Sequence, residues 1–278
     1  VWKESGISDG DAGAELRARA RAHLEAGRTV IGERLGRELL GRYLPFGAAV
    51  SCDGPADAAA AADAMGYPVV VKALADGIVH KSDHGLVRLG CRSAAEVRAA
   101  AQDVLAAARQ AGAPGALLSV QSELRGHEVA VGIRRDALGA LIVVGAGGRL
   151  VELFNDTASR LAPFGADSAR AMLARLRYWP VLGGFRGAPA ADTDLLARFV
   201  AGVSQLAEAV PEIAELDLNP VFASEAGLAV ADTRLRLAAV PAAEPARPAA
   251  TQAVGTVFGA RRVAVVGACT DGSTVGGQ

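Results

Sequence analysis

The segment that most constrains the fold is "AELDLNPVFASEAGLAVADTRLRL", Ala214 to Leu237. Polar and apolar residues alternate along it, which is the side-chain period of a strand. A turn at Ser224–Gly227 makes the segment a β-hairpin. A four-residue turn pairs Ala223 with Leu228. Counting back, Asn219 lies opposite Asp232, and Asp217 opposite Arg234. Directly paired residues share a face. One face then carries Glu215, Asp217, Asn219, Asp232 and Arg234. The other carries Leu216, Leu218, Phe222, Ala229, Ala231 and Leu235, which suits a core. Carboxylate and amide oxygens side by side are what Mg²⁺ requires, with nucleotide phosphates and water completing its shell. The ordinary alternative is a solvated polar face. A one-residue change in the turn would break the set.

The rest of the chain reads as mixed α and β. Gly13 to Tyr43 shows helical spacing of Leu16, Leu24, Val30, Ile31, Leu35, Leu39 and Leu40. Asp57–Met65 is an Ala-rich helix ended by Gly66. "YPVVVKAL" is a β-branched strand opened by Pro68, and Val87–Cys91 is a strand that could pair with it. Ser93–Ala111 opens with a capping box. "ALLSVQSEL" and "HEVAVGIRRD" are strands joined at Arg125–Gly126, and "ALIVVGAGG" is a buried strand running into a Gly-rich loop. Ser168–Tyr178 and Asp192–Val210 are helices, the second capped by Asp192. After Leu237, "AAVPAAEPARPAAT" is a Pro/Ala-rich linker. "RRVAVVGACTDGSTVGG" then gives a strand and a Gly-rich turn, as a doubly wound domain opens. It stops before any helix, and so reads as the cut start of a further domain. The chain also starts at Val1 rather than Met, which reads as a processed or truncated start.

Bulk properties exclude several classes. The chain has 278 residues, about half of them hydrophobic, enough for one large domain or two modest ones. A net charge of −1 with no basic stripe argues against a nucleic-acid partner. The longest apolar runs are far too short to span a bilayer, and no signal peptide is visible. Cys52, Cys91 and Cys269 have neither metal-ligand spacing nor an even count, which predicts free thiols in a reducing cytoplasm.

Lysine is rare here: Lys3, Lys72 and Lys81 stand among many arginines. Lys72 ends the run Val69-Val70-Val71. A Lys leaving a buried strand can place one compact charge on a phosphate, although long side chains also snorkel to the surface. His80-Lys81-Ser82-Asp83-His84 follows. A neutral imidazole titrates near working pH and can be a nucleophile without an added base. Attack on a phosphoryl group would give phosphohistidine, and Lys81 could offset phosphate charge. A plain polar loop is the competing reading. Gly145, Gly147 and Gly148 could bring backbone amides to a phosphate, or simply make a tight turn.

Taken together, "GYPVVVKAL", "IVHKSDHGLVRLG", "VQSELRGHEVAVGIRRD", "GAGGRLVELFNDTASRLAP", "WPVLGGFRG" and "ELDLNPVF…VADTRLRL" resemble the NDP-forming acyl-CoA synthetases, which include the ADP-forming acetate–CoA ligases. The resemblance covers roughly Arg34 to Leu237. It implies an α/β (α+β) ATP-grasp fold of two subdomains over 34–238, after an N-terminal helical segment at 1–33. A linker at 239–256 and a truncated Rossmann-like start of a CoA-binding domain at 257–278 would follow. It implies a cytoplasmic acid–CoA ligase that converts acid, CoA and ATP to acyl-CoA, ADP and phosphate through phosphohistidine. His80 would relay the phosphate and Lys72 would bind it, with Lys81 close by. Asn219 and Asp232, with Asp217 nearby, would hold Mg²⁺. Gln121, Ser122, Glu123 and Leu124 would form the hinge along which adenine lies. Glu123 or Glu128 would sit near the ribose and Arg160 near the phosphates. CoA would enter only through absent domains, or a subunit, carrying a second His; a homodimer or two-subunit assembly is implied.

This chain departs from the family pattern at His84, Leu86 and Asn155, where the family usually has a small apolar residue, Gly and Lys. Two alternatives follow: a non-catalytic ATP-binding regulatory module like those fused to acetyltransferases, or an inactive fragment.

Overall fold

Glycines break the long N-terminal periodicity. The computed structural model describes residues 10–75, 84–148 and 156–240. Its first elements are α1 (Gly10–Glu25), β1 (Val30–Ile31) and α2 (Glu33–Leu40). The single helix expected from Gly13 to Tyr43 is therefore two helices and a strand. Gly27 turns the chain with φ of +73°, in the left-handed region open to glycine. Gly32 then starts α2 from an extended conformation. The β-branched pair Val30–Ile31 joins a sheet edge opposite Arg236 and Leu235, and this pairing overrides the helical spacing.

Next come β2 (Ala49–Cys52), α3 (Pro55–Met65), β3 (Val69–Leu74), β4 (Val87–Cys91), α4 (Ala94–Gln110) and β5 (Leu117–Ser122). Among the described residues, these four strands form an antiparallel sheet in the order β2-β5-β3-β4. Ser93 caps α4 by accepting the Glu96 N–H, and the Glu96 carboxylate accepts the Arg92 N–H. Val69, Val71, Ala73, Leu118 and Val120 enter a core shared with α3 and α4. The alternate residues Val70, Lys72, Ser119 and Gln121 occupy the opposite face and are buried as well. This explains the near-continuous burial of β3: both of its faces are covered.

The remaining elements are β6 (His127–Asp136), β7 (Gly139–Ala146), β8 (Thr157–Leu161), α5 (Ala166–Leu173), α6 (Trp179–Leu182), α7 (Thr193–Ala209), β9 (Ile213–Ser224), β10 (Gly227–Val230) and β11 (Thr233–Leu237). The strands make a larger sheet in the order β1-β11-β9-β6-β7-β8, with β10 beside β9. Its core includes Leu16 and Ala20 of α1 and much of α7. The helix expected over Ser168–Tyr178 stops at Leu173. The Asp156 carboxylate accepts the N–H groups of Arg177 and Tyr178, which fixes a turn there instead. Asp192 caps α7 by accepting the Leu195 N–H. Among the described residues, no helix is long and apolar enough to cross a membrane.

The hairpin register is as predicted: Ala223 pairs with Leu228, and Asp217 with Arg234. Its faces are not. Val221 pairs with Val129 while Leu218 pairs with Val131, so β9 carries one extra residue at Asn219–Pro220. A bulge of this kind reverses the alternation that follows it. Val221, Ala223, Leu228 and Val230 consequently fill the core. Phe222 and Ala229, expected in the core, are only half-buried. Phe222 pairs with Glu128, and so shares the face that carries Asp217 opposite Gly132. The ladder also lapses at Ala231 and Asp232, which separates β10 from β11.

α1 is pinned to the start of β9 by a buried carboxylate. Glu212 accepts from Arg17 Nε at 2.9 Å and from Arg21 Nε at 2.7 Å. Its side chain is 2% exposed, against 38% and 53% for the arginines. Losing the arginines strands a buried charge, whereas losing the carboxylate frees two guanidiniums to water. Replacing Arg17 and Arg21 together with Met is therefore expected to cost about 3 kcal/mol in urea unfolding. Glu212→Gln is expected to cost about 1 kcal/mol. Burial pushes the Glu212 carboxyl up, but the two arginines and its own N–H together hold it below its ordinary value of 4.5. A depressed carboxyl stabilises the fold above the unfolded pKa. That contribution should fade as pH falls from about 4.5 through the lower folded value, and be absent from the Gln variant.

Candidate functional site

The polar face of the small sheet meets the β10–β11 break of the large one. Lys72 on β3 is 7% exposed, and its Nζ donates to the Ala231 carbonyl at 3.0 Å. This places its ammonium beside Asp232, the next residue. Lys72 thus bridges the sheets rather than snorkelling to water. Glu33, in the first turn of α2, lies 3.6 Å from Lys72 Nζ and 3.3 Å from Arg37 Nε. Gln121 Nε2 donates to Glu33 Oε1 and, at 3.1 Å, to Ser119 Oγ. Arg37 also donates to the carbonyls of Gly47 and Ala231, at 2.8 and 2.9 Å.

The sequence reading assigned Glu33 and Arg37 no role. Their i,i+4 spacing within the expected helix was visible, but nothing local tied the pair to Lys72.

Asp217 and Asp232 are near enough to interact electrostatically. Burial lifts the Asp217 carboxyl above its ordinary value, and Asp232 lifts it further, while Arg234 pulls it down. Asp217 itself remains exposed. Asn219 Oδ1 accepts the Gly148 N–H at 2.9 Å, which ties the Gly-rich turn to the same place. The Asp232 carboxylate accepts the Thr233 N–H at 2.8 Å. Two carboxylates, one of which raises the other's proton affinity, beside an amide oxygen, are a donor set that fits a hard divalent cation. Asp217 also lines a cleft with Val30, Ile133, Glu215, Leu216, Arg234 and Arg236.

Other expected residues are more scattered. The N–H groups of Ser122 and Glu123 are bonded to the carbonyls of Ala48 and Pro68. Gln121 is turned inward to Glu33, so this stretch presents little side chain of its own. Leu124 packs on Gly47, where a Cβ would stand 3.1 Å from its Cδ1. Glu123 lies toward Gly90 of β4, whereas Glu128 lies against Gly148 beside Asn219. Arg160 is the exception to the cluster. It pairs with Ile142, which pairs with Ile133, which pairs with Leu216. That row lies on the core face, opposite to Asp217, and about 14 Å of strand spacings separates Arg160 from β9. Its guanidinium sits 6.0 Å from the centre of the Phe164 ring. Arg160 therefore does not join Asp217, because alternation along β8 turns it to the other face. His80, Lys81, Asn155, the linker and the strand Arg262–Ala268 lie outside the described residues.

Comparison with known proteins places the chain in a family. The ATP-grasp domain family matches residues 22–237. The chain is 35% identical over 178 residues to the acetate–CoA ligase (ADP-forming) I subunit beta of Pyrococcus furiosus, covering 62% of this chain and 76% of that protein. It is also 35% identical to acetate–CoA ligase (ADP-forming) I of Archaeoglobus fulgidus, over 77% of this chain but only 32% of that longer protein. Among solved structures, acetyl-coenzyme A synthetase 1 of Ca. Korarchaeum cryptofilum, in complex with coenzyme A and Ca-AMPCP, superposes with a TM-score of 0.74. That match is 30% identical and covers 80% of this chain and 99% of the other. Another structure of the same synthetase, with coenzyme A and Mg-AMPPCP, has its phosphohistidine segment pointing towards the nucleotide-binding site. With two sheets meeting at a Lys–carboxylate junction and these relatives in common, the chain belongs to the ATP-grasp domain family, on the branch of the ADP-forming acetate–CoA ligases.

Proposed function

We propose that this chain is the nucleotide-binding, phosphoryl-relay module of an ADP-forming acid–CoA ligase. The observation that carries this reading is the bond from Lys72 to the Ala231 carbonyl, one residue before Asp232, whose charge acts on Asp217, together with the Gly148 amide held on Asn219. A compact ammonium on one side and a cluster of oxygens on the other can hold a nucleotide's phosphates in one orientation. Asp217, Asn219 and Asp232 would hold Mg²⁺, which when bound supplies charge neutralisation for the phosphates. Glu128 and Phe222, paired on the same face as Asp217, would bound the nucleoside.

His80 is the acceptor in this scheme. A ring nitrogen attacks the terminal phosphorus of ATP, an N–P bond forms, and the bond from that phosphorus to the bridging oxygen breaks to release ADP. The reverse step makes ATP. Lys72 holds the transferred group in line, and positioning with electrostatics does most of the work. The chain spans about a third of the length of its single-chain relative. CoA binding and acyl transfer would therefore belong to companion domains or a subunit carrying the second His.

Incubation with γ-labelled ATP and Mg²⁺ tests the relay. The expected product is acid-labile, base-stable label on the wild type, with more than about a hundredfold less on His80→Ala, since the loss of a nucleophile is nearly complete. ATP binding with no label on the wild type would overturn the relay and leave a nucleotide-binding module.

A further inference from the structure

Two cationic side chains share one acceptor at the junction of the sheets. Lys72 Nζ and Arg37 Nη2 both donate to the Ala231 carbonyl oxygen, at 3.0 and 2.9 Å. Like charges this close repel, and burial weakens the screening that water would give. Glu33 is the anion that offsets them. It is within 3.6 Å of Lys72 Nζ and 3.3 Å of Arg37 Nε, with a side chain 1% exposed. Gln121 steadies the same carboxylate oxygen. Glu33 also stands in the first turn of α2, where the helix dipole favours a carboxylate. The net result is one unit of positive charge from three ionised groups, focused on the carbonyl that precedes Asp232.

We propose that Glu33 is a positioning residue for phosphate binding: it lets Lys72 and Arg37 sit together on the Ala231 carbonyl. It thereby sets both the ammonium and the neighbouring Asp232. This rests on reading Lys72 and Asp232 as phosphate and metal groups. Without Glu33, the two cations separate. Arg37 is anchored by the Gly47 carbonyl and lies 5.0 Å from the centre of the Phe46 ring, so Lys72 is the one that moves.

The charge balance gives a test that a merely structural role would not pass. ATP and adenosine affinities are measured by calorimetry, with Mg²⁺ present, for the wild type, Glu33→Gln, Glu33→Gln with Arg37→Gln, and Lys72→Met. Glu33→Gln should weaken ATP binding roughly tenfold or more. Adenosine, which has no phosphate, should stay within about twofold of wild type. The double variant restores a single buried cation and should recover ATP affinity to within about threefold of wild type. A double variant weaker than Glu33→Gln alone, or equal losses for ATP and adenosine, would overturn the proposal in favour of plain packing. If Glu33→Gln fails to fold, the double variant decides. Near-wild-type ATP affinity supports the proposal, and failure of the double variant to fold overturns it. Lys72→Met with unchanged ATP affinity would instead sink the underlying reading of Lys72. Loss in Lys72→Met with no effect of Glu33→Gln would sink the role of Glu33 alone.

Discussion

Replacing Lys72 with Met is expected to weaken ATP binding by about two orders of magnitude, the worth of a charge-assisted contact in a poorly hydrated site. Adenosine affinity should change little. The fold should survive, because each partner of Lys72 keeps another. The Ala231 carbonyl retains Arg37, and Glu33 retains Arg37 and Gln121. Met keeps an unbranched apolar stem as far as Cε, so what is lost is the ammonium. Lys72→Arg should not restore binding, since the slot is 7% exposed and a planar fork cannot occupy the place of a compact ammonium. Calorimetric titration of the three proteins with ATP reads this directly. Equal affinities in wild type and Lys72→Met would remove Lys72 from the phosphate site.

Gly147→Ala should strongly lower stability. A Cβ at Gly147 would stand 2.7 Å from the backbone N and C of Val129 and 2.8 Å from the carbonyl carbon of Glu128. Backbone atoms in the middle of a sheet cannot rotate away, and Val129 is fully buried. The end of β7 must therefore leave β6 and give up the bond from the Gly147 N–H to the Glu128 carbonyl. Overpacking of this kind costs about 3 kcal/mol, or roughly 6–12 °C in Tm for a domain of this size. Gly148→Ala should behave differently. A Cβ there would collide only with the end of the Glu128 side chain, which can swing, although the φ of +60° adds strain of about 1 kcal/mol. The cost then falls on function. The Gly148 N–H holds Asn219 Oδ1, so ATP affinity should drop more than Tm does. Thermal melts with and without ATP separate the two variants. A Gly147→Ala protein that melts with the wild type would refute the close approach.

Much of the fold was legible because local signals and tertiary packing agree. The Ser93 cap, the Asp192 cap, the β3 run and the Ala223–Leu228 pairing depend on interactions a few residues apart. Each is found where the sequence puts it. The N-terminal periodicity misled because Val30 and Ile31 satisfy a sheet edge supplied by β11, more than two hundred residues on. No window around them contains that partner.

The candidate site divides along the same line. Alternation and turn length determine by themselves that Asp217 meets Arg234, because strand register is counted from the turn. The family resemblance names Lys72 from its motif. Three things were decided only by the tertiary structure. The Asn219–Pro220 bulge, set by pairing with β6, turns Phe222 out of the core and onto the face that carries Asp217. The far edge and opposite face of β8 carry Arg160 away from the carboxylates. Glu33 and Arg37 gain a role because α2 folds against a sheet edge that lies beside both Lys72 and Ala231. Register and capping are short-range and written in order along the chain. Which buried charges must share one carbonyl depends on segments about 160 to 200 residues apart being folded together, and no local pattern encodes that distance.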